Sequence, residues 1–221
     1  MAVSTLAAAT GSNIDHWGER VDLACAFRWT ARWNMHESVA NHFSIAVSDD
    51  GCDFLVNPRG RHFSRVRASE FLLTNADDPS VMERPDAPDP SAWALHGGIH
   101  RRVPGARVIL HVHSKYATAL ACLKNPKLEA VDNNTMRFYQ RIAYDLGFQG
   151  MGMGDEAERV AALAGDKPIL LLGNHGVMVL GPDVAQALDD LYHFERACET
   201  YITALATGRE LAVVSHAVAA R

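Results

Sequence analysis

No stretch of this sequence is apolar for long enough to cross a bilayer. Its longest uninterrupted apolar run is only a few residues, whereas a spanning helix needs about 20. Positive charge is scarce. Lys and Arg number 21 against 26 Asp and Glu, a net charge of −5, so there is no basic field for nucleic acid. Arg59, Arg61, Arg65 and Arg67 form only a short local group. The four cysteines (Cys25, Cys52, Cys122, Cys198) include no CxxC pair, which excludes a zinc ribbon or a redox dithiol. The N-terminus lacks the basic and apolar regions of a signal peptide. A reducing cytoplasm is the expected compartment.

Histidine, by contrast, is abundant, with 11 in 221 residues. Each is a metal ligand or proton carrier in waiting near neutral pH. The question is whether any of them cluster.

Helices and strands alternate along the chain, with no internal repeat and no linker. That reads as one layered α/β domain over about 15–210, with tails at 1–14 and 211–221. A helix is expected from about Asp15 to Trp33. Strands over 41–47 and 52–57 flank Asp49-Asp50-Gly51 as a hairpin. Residues 74–91 are proline- and acid-rich and read as a long loop, a solvated connector or a functional segment. Ser91 is the expected N-cap of a helix through His100. Arg107 to His113 reads as a buried strand and Tyr116 to Leu123 as a short helix. Met136, Tyr139, Ile142 and Leu146 suggest an amphipathic helix over 134–146. Glycines 147, 150, 152 and 154 do not form a dinucleotide motif and receive no such role. Asp155 and Glu158 open another helix. Ile169 to Leu172 reads as a strand, with Gly176 to Leu180 continuing it. The longest helix is expected over about 184–206, stopped at Gly208.

His111 and His113 are the sharpest feature. A strand alternates faces with period two, so both imidazoles project from one side. On a rigid strand they offer two preset metal ligands. His175 sits in a local break between apolar runs, which suits a third ligand; a bulge histidine bonded to backbone is the alternative. His96 and His100 share a helix face, to complete a coordination sphere, to orient a ligand, or as a surface pair.

These residues lie in motifs that resemble the class II aldolase/adducin family: VANHFSIAV, VNPRGRHF, HVHSKYATAL, LLLGNHGVMVLG and HFERAC. The resemblance spans about residues 20–208. It implies a three-layer α/β/α domain with a mixed, mostly antiparallel sheet. It implies a divalent metal, zinc first and manganese, iron or cobalt next, on His111, His113 and His175. It also implies a homo-oligomer, commonly a tetramer. Sugar-phosphate aldolases of the family carry a Ser-Ser-Glu-Trp-like motif whose Glu is the acid/base. Here the stretch is Pro90-Ser91-Ala92-Trp93. Their phosphate cradle corresponds to Ala40-Asn41, Arg59-Gly60 and Pro90, with small hydrogen-bonding residues lost. Arg59 offers a fork suited to a carboxylate.

The expectation is therefore a metal-dependent carbon–carbon lyase, aldolase or decarboxylase, for a small hydroxy- or oxo-carboxylate. Asn41, Arg59, Gly60 and Ser91 would bind substrate. Tyr116 or His96 would supply a proton, and Asp89 is a candidate to replace the missing carboxylate. The alternatives are a non-catalytic adducin-like scaffold, a sugar-phosphate aldolase or epimerase, and oxygen chemistry on iron.

Overall fold

A computed structural model describes residues 14–147 and 155–221. The tail at 1–13 and most of the glycine stretch lie outside them. Helix α1 (Trp17–Arg32) leads into β1 (His42–Ala46) and β2 (Asp53–Val56). Two short 3-10 turns precede β3 (Leu72–Asn75), and a third covers Pro79–Glu83 within the expected long loop. Next come α2 (Pro90–Arg102), β4 (Val108–Val112), α3 (Lys115–Ala121) and α4 (Asn133–Arg137). The chain continues through β5 (Ile142–Asp145), α5 (Asp155–Ala164), β6 (Ile169–Leu172) and β7 (Gly176–Gly181). The long α6 (Val184–Leu205) and a short α7 (His216–Ala219) close it. No helix among the described residues is long and apolar enough to cross a membrane.

The seven strands form one sheet in the order β3-β2-β1-β4-β7-β6-β5. Every neighbouring pair is antiparallel except β5–β6. Alternation along the strands sorts side chains to two faces. Phe43, Ile45, Leu110, Val112, Val177 and Val179 pack with α1, α3 and α6 in the larger core. Within it the Phe27 ring meets Phe43 tilted and Phe63 edge-on, at centroid distances of 4.5 and 4.4 Å. Ile109, Leu170, Leu172 and Met178 face the other way, against Leu95 and Ile99 of α2 and Val160 of α5. Helices on both faces of a mixed sheet give the three-layer α/β/α arrangement expected.

Three local readings are corrected. Residues 134–146 are not one helix. α4 ends at Arg137, Gln140 takes a left-handed φ of 58°, and Ile142–Asp145 runs parallel to β6 as an edge strand. The helical spacing of Met136, Tyr139 and Ile142 is a coincidence that strand pairing overrides. Secondly, α2 is capped by Asp89, which accepts the Ser91 N–H at 3.0 Å, so Ser91 lies inside the first turn after Pro90. Thirdly, Gly176–Gly181 does not extend β6 but folds back on it as a hairpin. Asn174, at φ 55°, makes the turn, a conformation asparagine tolerates well.

Candidate metal centre

The β4–β7 pairing creates the site. A Cβ on Gly176 would lie 2.5 Å from the carbonyl oxygen of Val112 and 2.9 Å from His113 Cδ2. Only glycine lets the start of β7 come so close to the end of β4. The turn at Asn174 is tied to α3 by its N–H, which donates to Ala121 O at 3.0 Å. Together these place His175 beside the imidazoles of His111, on β4, and His113, one residue past its end.

The Nε2 atoms of His111 and His113 stand 3.0 Å apart, and His175 Nε2 is 3.2 Å from His111 Nε2. One nitrogen from each ring lies within 4.8 Å of the others. Their opposite edges fix the protons. His111 Nδ1 donates to Val177 O at 3.0 Å. His113 Nδ1 donates to Glu37 Oε2 at 2.5 Å. In the neutral form each imidazole carries one proton, and with both rings in that form the Nε2 atoms face inward as bare lone pairs. Two acceptors at hydrogen-bond distance with no donor between them repel unless a cation sits there. Tetrahedral ligation at about 2.0–2.1 Å separates two nitrogens by about 3.3 Å, close to the spacing seen. Burial, and then the neighbouring His42, His113 and His175, hold the His111 imidazole well below its ordinary range. Burial and then His113 push His175 down to about 4. Neutral rings are the form a metal takes. His111 is buried while His113 and His175 are half-buried, so the centre opens on one side.

Residues 21–202 match the profile of the Class II Aldolase and Adducin N-terminal domain. The chain belongs to the class II aldolase and adducin family. An aldolase class 2-type protein of Caulobacter vibrioides is 27% identical over 195 residues, covering 88% of this chain and 75% of that protein. Human beta-adducin is 28% identical over 85% of this chain but only 26% of its own length. An aldolase II superfamily protein from Pseudomonas syringae superposes with a TM-score of 0.84 at 29% identity, covering 95% of this chain and 85% of that one. The L-fuculose 1-phosphate aldolase of Glaciozyma antarctica shares the fold, with a TM-score of 0.80 at 21% identity over 96% and 84% of the two chains.

Ala92, which the resemblance sets against the acid/base Glu of the sugar-phosphate aldolases, is fully buried with Phe54, Val56, Leu72 and Ala76. No carboxylate is placed there, and Asp89 is engaged as the α2 cap. Glu37, from the segment before β1, places its carboxylate on His113, and the charges of Glu156 and Glu37 both act on His175. Nothing in the spacing of the sequence singles Glu37 out. Glu195 of α6 was missed as well. It is buried and accepts from Ser114 Oγ (2.6 Å) and from the N–H groups of Tyr116 and Ala117 (both 2.9 Å). It pins the turn from His113 into α3, a long-range contact that only folding reveals.

The remaining expected residues are spread out. Asn41 is buried. Its Oδ1 accepts the Glu37 N–H at 2.7 Å, and its Nδ2 has no partner among the described residues. Arg59 and Gly60 line a cleft of about 510 Å³ with Arg61 and Arg84, and Gly60 takes a φ of 79°. Ser91 Oγ donates to the Asp89 cap at 2.6 Å. Tyr116 packs its ring against the larger core, with Lys115 Nζ 5.0 Å from the ring centre. His96 and His100 are neither surface residues nor members of the three-imidazole cluster. Both are buried against the sheet.

Proposed function

We propose that this chain is a metal-dependent carbon–carbon lyase, an aldolase or decarboxylase, for a small hydroxy- or oxo-carboxylate. The observation carrying this reading is the convergence of the Nε2 atoms of His111, His113 and His175, with 3.0 and 3.2 Å between His111 Nε2 and the other two. Three neutral imidazoles suit zinc first, with manganese, iron or cobalt as substitutes. When bound, the metal supplies a Lewis acid for hydroxyl and carbonyl oxygens. The chain's own groups do the rest. Val177 O and Glu37 hold the ligand rings in one tautomer. Asn41 offers a buried N–H donor that a substrate oxygen would satisfy. Arg59, beside Gly60, offers a fork for a carboxylate, with Ser91 at the start of α2 completing the proposed pocket. Tyr116, three residues past His113, is the proposed proton donor, while His96 acts at a distance through His42.

Decarboxylation makes the smaller demand on this chain, because it needs no strong base at the Ala92 position. The test is turnover of a panel of small 4-hydroxy-2-oxo acids, following aldehyde release, and of 3-oxo acids, following carbon dioxide release. The reading expects activity that chelation abolishes and zinc or manganese restores. No turnover with any loaded metal would count against it.

A second reading, an adducin-like binding protein without catalysis, is favoured by the apolar burial of Ala92. It predicts no turnover even at full metal loading. A sugar-phosphate aldolase or epimerase would use the arginines of the Arg59 cleft for a phosphate, and phosphorylated substrates in the same panel test it. Homotetramer assembly belongs to the proposal too, and light scattering of the purified protein checks it.

A further inference from the structure

Behind the metal centre runs a continuous buried chain of polar groups between β1 and α2. His100 Nδ1 is 2.8 Å from Ala106 O. His100 Nε2 is 2.7 Å from Ser44 Oγ, which is also 2.6 Å from His96 Nδ1. His96 Nε2 is then 2.8 Å from His42 Nδ1. His42 lies opposite His111 in the β1–β4 register, with ring centroids 4.7 Å apart.

Hydrogen-bond chemistry orients every member. A carbonyl only accepts, so His100 carries its proton on Nδ1 and presents a bare Nε2. Ser44 must give its single hydroxyl proton to that Nε2. Its oxygen is then left to accept from His96 Nδ1–H. His96 Nε2 is bare in turn and accepts from His42 Nδ1–H. The one remaining atom is His42 Nε2, which makes no hydrogen bond among the described residues, while the Asp89 carboxylate is the strongest charge acting on the ring. Burial holds the His96 imidazole well below its usual range and brings His100 down to about 4, so these two rings are neutral. His42 is not a member of the converging ligand set, so its lone pair is free for something other than the metal.

We propose that the relay from Ala106 through His100, Ser44 and His96 locks His42 as the Nδ1–H tautomer, so that its bare Nε2 accepts a hydrogen bond from the hydroxyl of a hydroxy acid bound at the metal centre. His96, Ser44 and His100 are then positioning residues that act through His42. The relay gives a physical reason for a histidine-rich interior where a simple metal site needs three. It rests on the proposed metal centre for its ligand, but the tautomers themselves do not depend on a metal.

Two measurements test it. Long-range 1H–15N correlation on metal-free protein labelled with 15N-histidine reads each tautomer directly. The expected result is Nδ1–H at His42, His96 and His100, with Ser44→Ala releasing His42 into a tautomer mixture while His111 is unchanged. His42 found as Nε2–H, or indifferent to Ser44→Ala, overturns the relay whether or not the protein binds metal. The second compares glycolate with acetate on protein carrying one equivalent of zinc. His42→Phe is expected to weaken glycolate about fivefold, the loss of one ordinary hydrogen bond, and to leave acetate and zinc affinity within about twofold. Equal effects on both acids, or none, would show that His42 Nε2 does not accept from the hydroxyl. Absence of zinc binding would sink the lyase reading and the acceptor role together, leaving the tautomer lock to stand or fall on the spectra.

Discussion

Glu37 Oε2 lies 2.5 Å from His113 Nδ1, although 76 residues separate the two in sequence. A carboxylate on the far nitrogen of a ligating imidazole fixes the tautomer and makes the ring a better donor. Glu37→Gln keeps the size and loses the charge. Zinc affinity, measured by competition with a chromophoric chelator, is expected to fall by about 10- to 100-fold, the usual cost of losing such a partner. Unchanged affinity would mean that Glu37 is only a surface neighbour.

Gly176→Ala drives a methyl group into Val112 O and His113 Cδ2. Neither can yield without opening the β4–β7 ladder. The expected result is a loss of about 1–3 kcal/mol in urea unfolding, with zinc affinity falling too. Gly18→Ala controls for the general effect of the substitution, because a Cβ there meets nothing within 4 Å and the residue lies in helix α1.

Glu195 caps α3 with three accepted bonds. Glu195→Ala leaves the buried Ala117 N–H, the half-buried Tyr116 N–H and the Ser114 hydroxyl without their acceptor. The cost is about 2–4 kcal/mol of stability, read by chemical denaturation. Because the freed turn carries His113, weaker zinc binding accompanies it.

The buried rings of His96 and His100 give a pH dependence with a definite sign. Burial holds both folded-state values below the unfolded value of about 6.5: His100 at about 4, and His96 well below its ordinary range. As pH falls through 6.5 the unfolded chain takes up protons that the folded chain refuses. Their contribution is therefore intact above about pH 6.5 and is lost progressively towards pH 4, at no more than about 1.4 kcal/mol per pH unit for each ring. Denaturation of metal-free protein at pH 7.5, 5.5 and 4.5 should show this slope. His100→Asn should make it shallower by about one proton.

Much of this was legible in the sequence, and what was not has a common cause. His111 and His113 could be paired from the two-residue period of a strand alone. The family motifs located His175 in its glycine-flanked break. The layered α/β architecture followed from the alternation of elements. Partners distant along the chain were invisible: Glu37 for His113, Glu195 for the Ser114 turn, and Ser44 and His42 for the histidines of α2. Each pair meets only because the β1–β4 register or helix packing brings it together. His96 and His100 announced a shared helix face, but their spacing could not say that the face is buried. The false helix over 134–146 has a local cause. β5 has only four residues, too few for a period of two to outweigh a chance helical spacing, and its pairing with β6 decides the matter. Asp89 competed with Ser91 for the same cap, and the Pro90 between them suited the first turn of the helix.

The most direct test of the central claim is the metal content of the purified protein, by mass spectrometry of the metal against protein concentration. One equivalent of zinc, or of manganese, iron or cobalt, is predicted per chain, with His111→Ala and His175→Ala each falling to near zero while still folded by circular dichroism. Less than about a tenth of an equivalent in the wild-type protein after incubation with each metal would contradict a three-histidine metal centre.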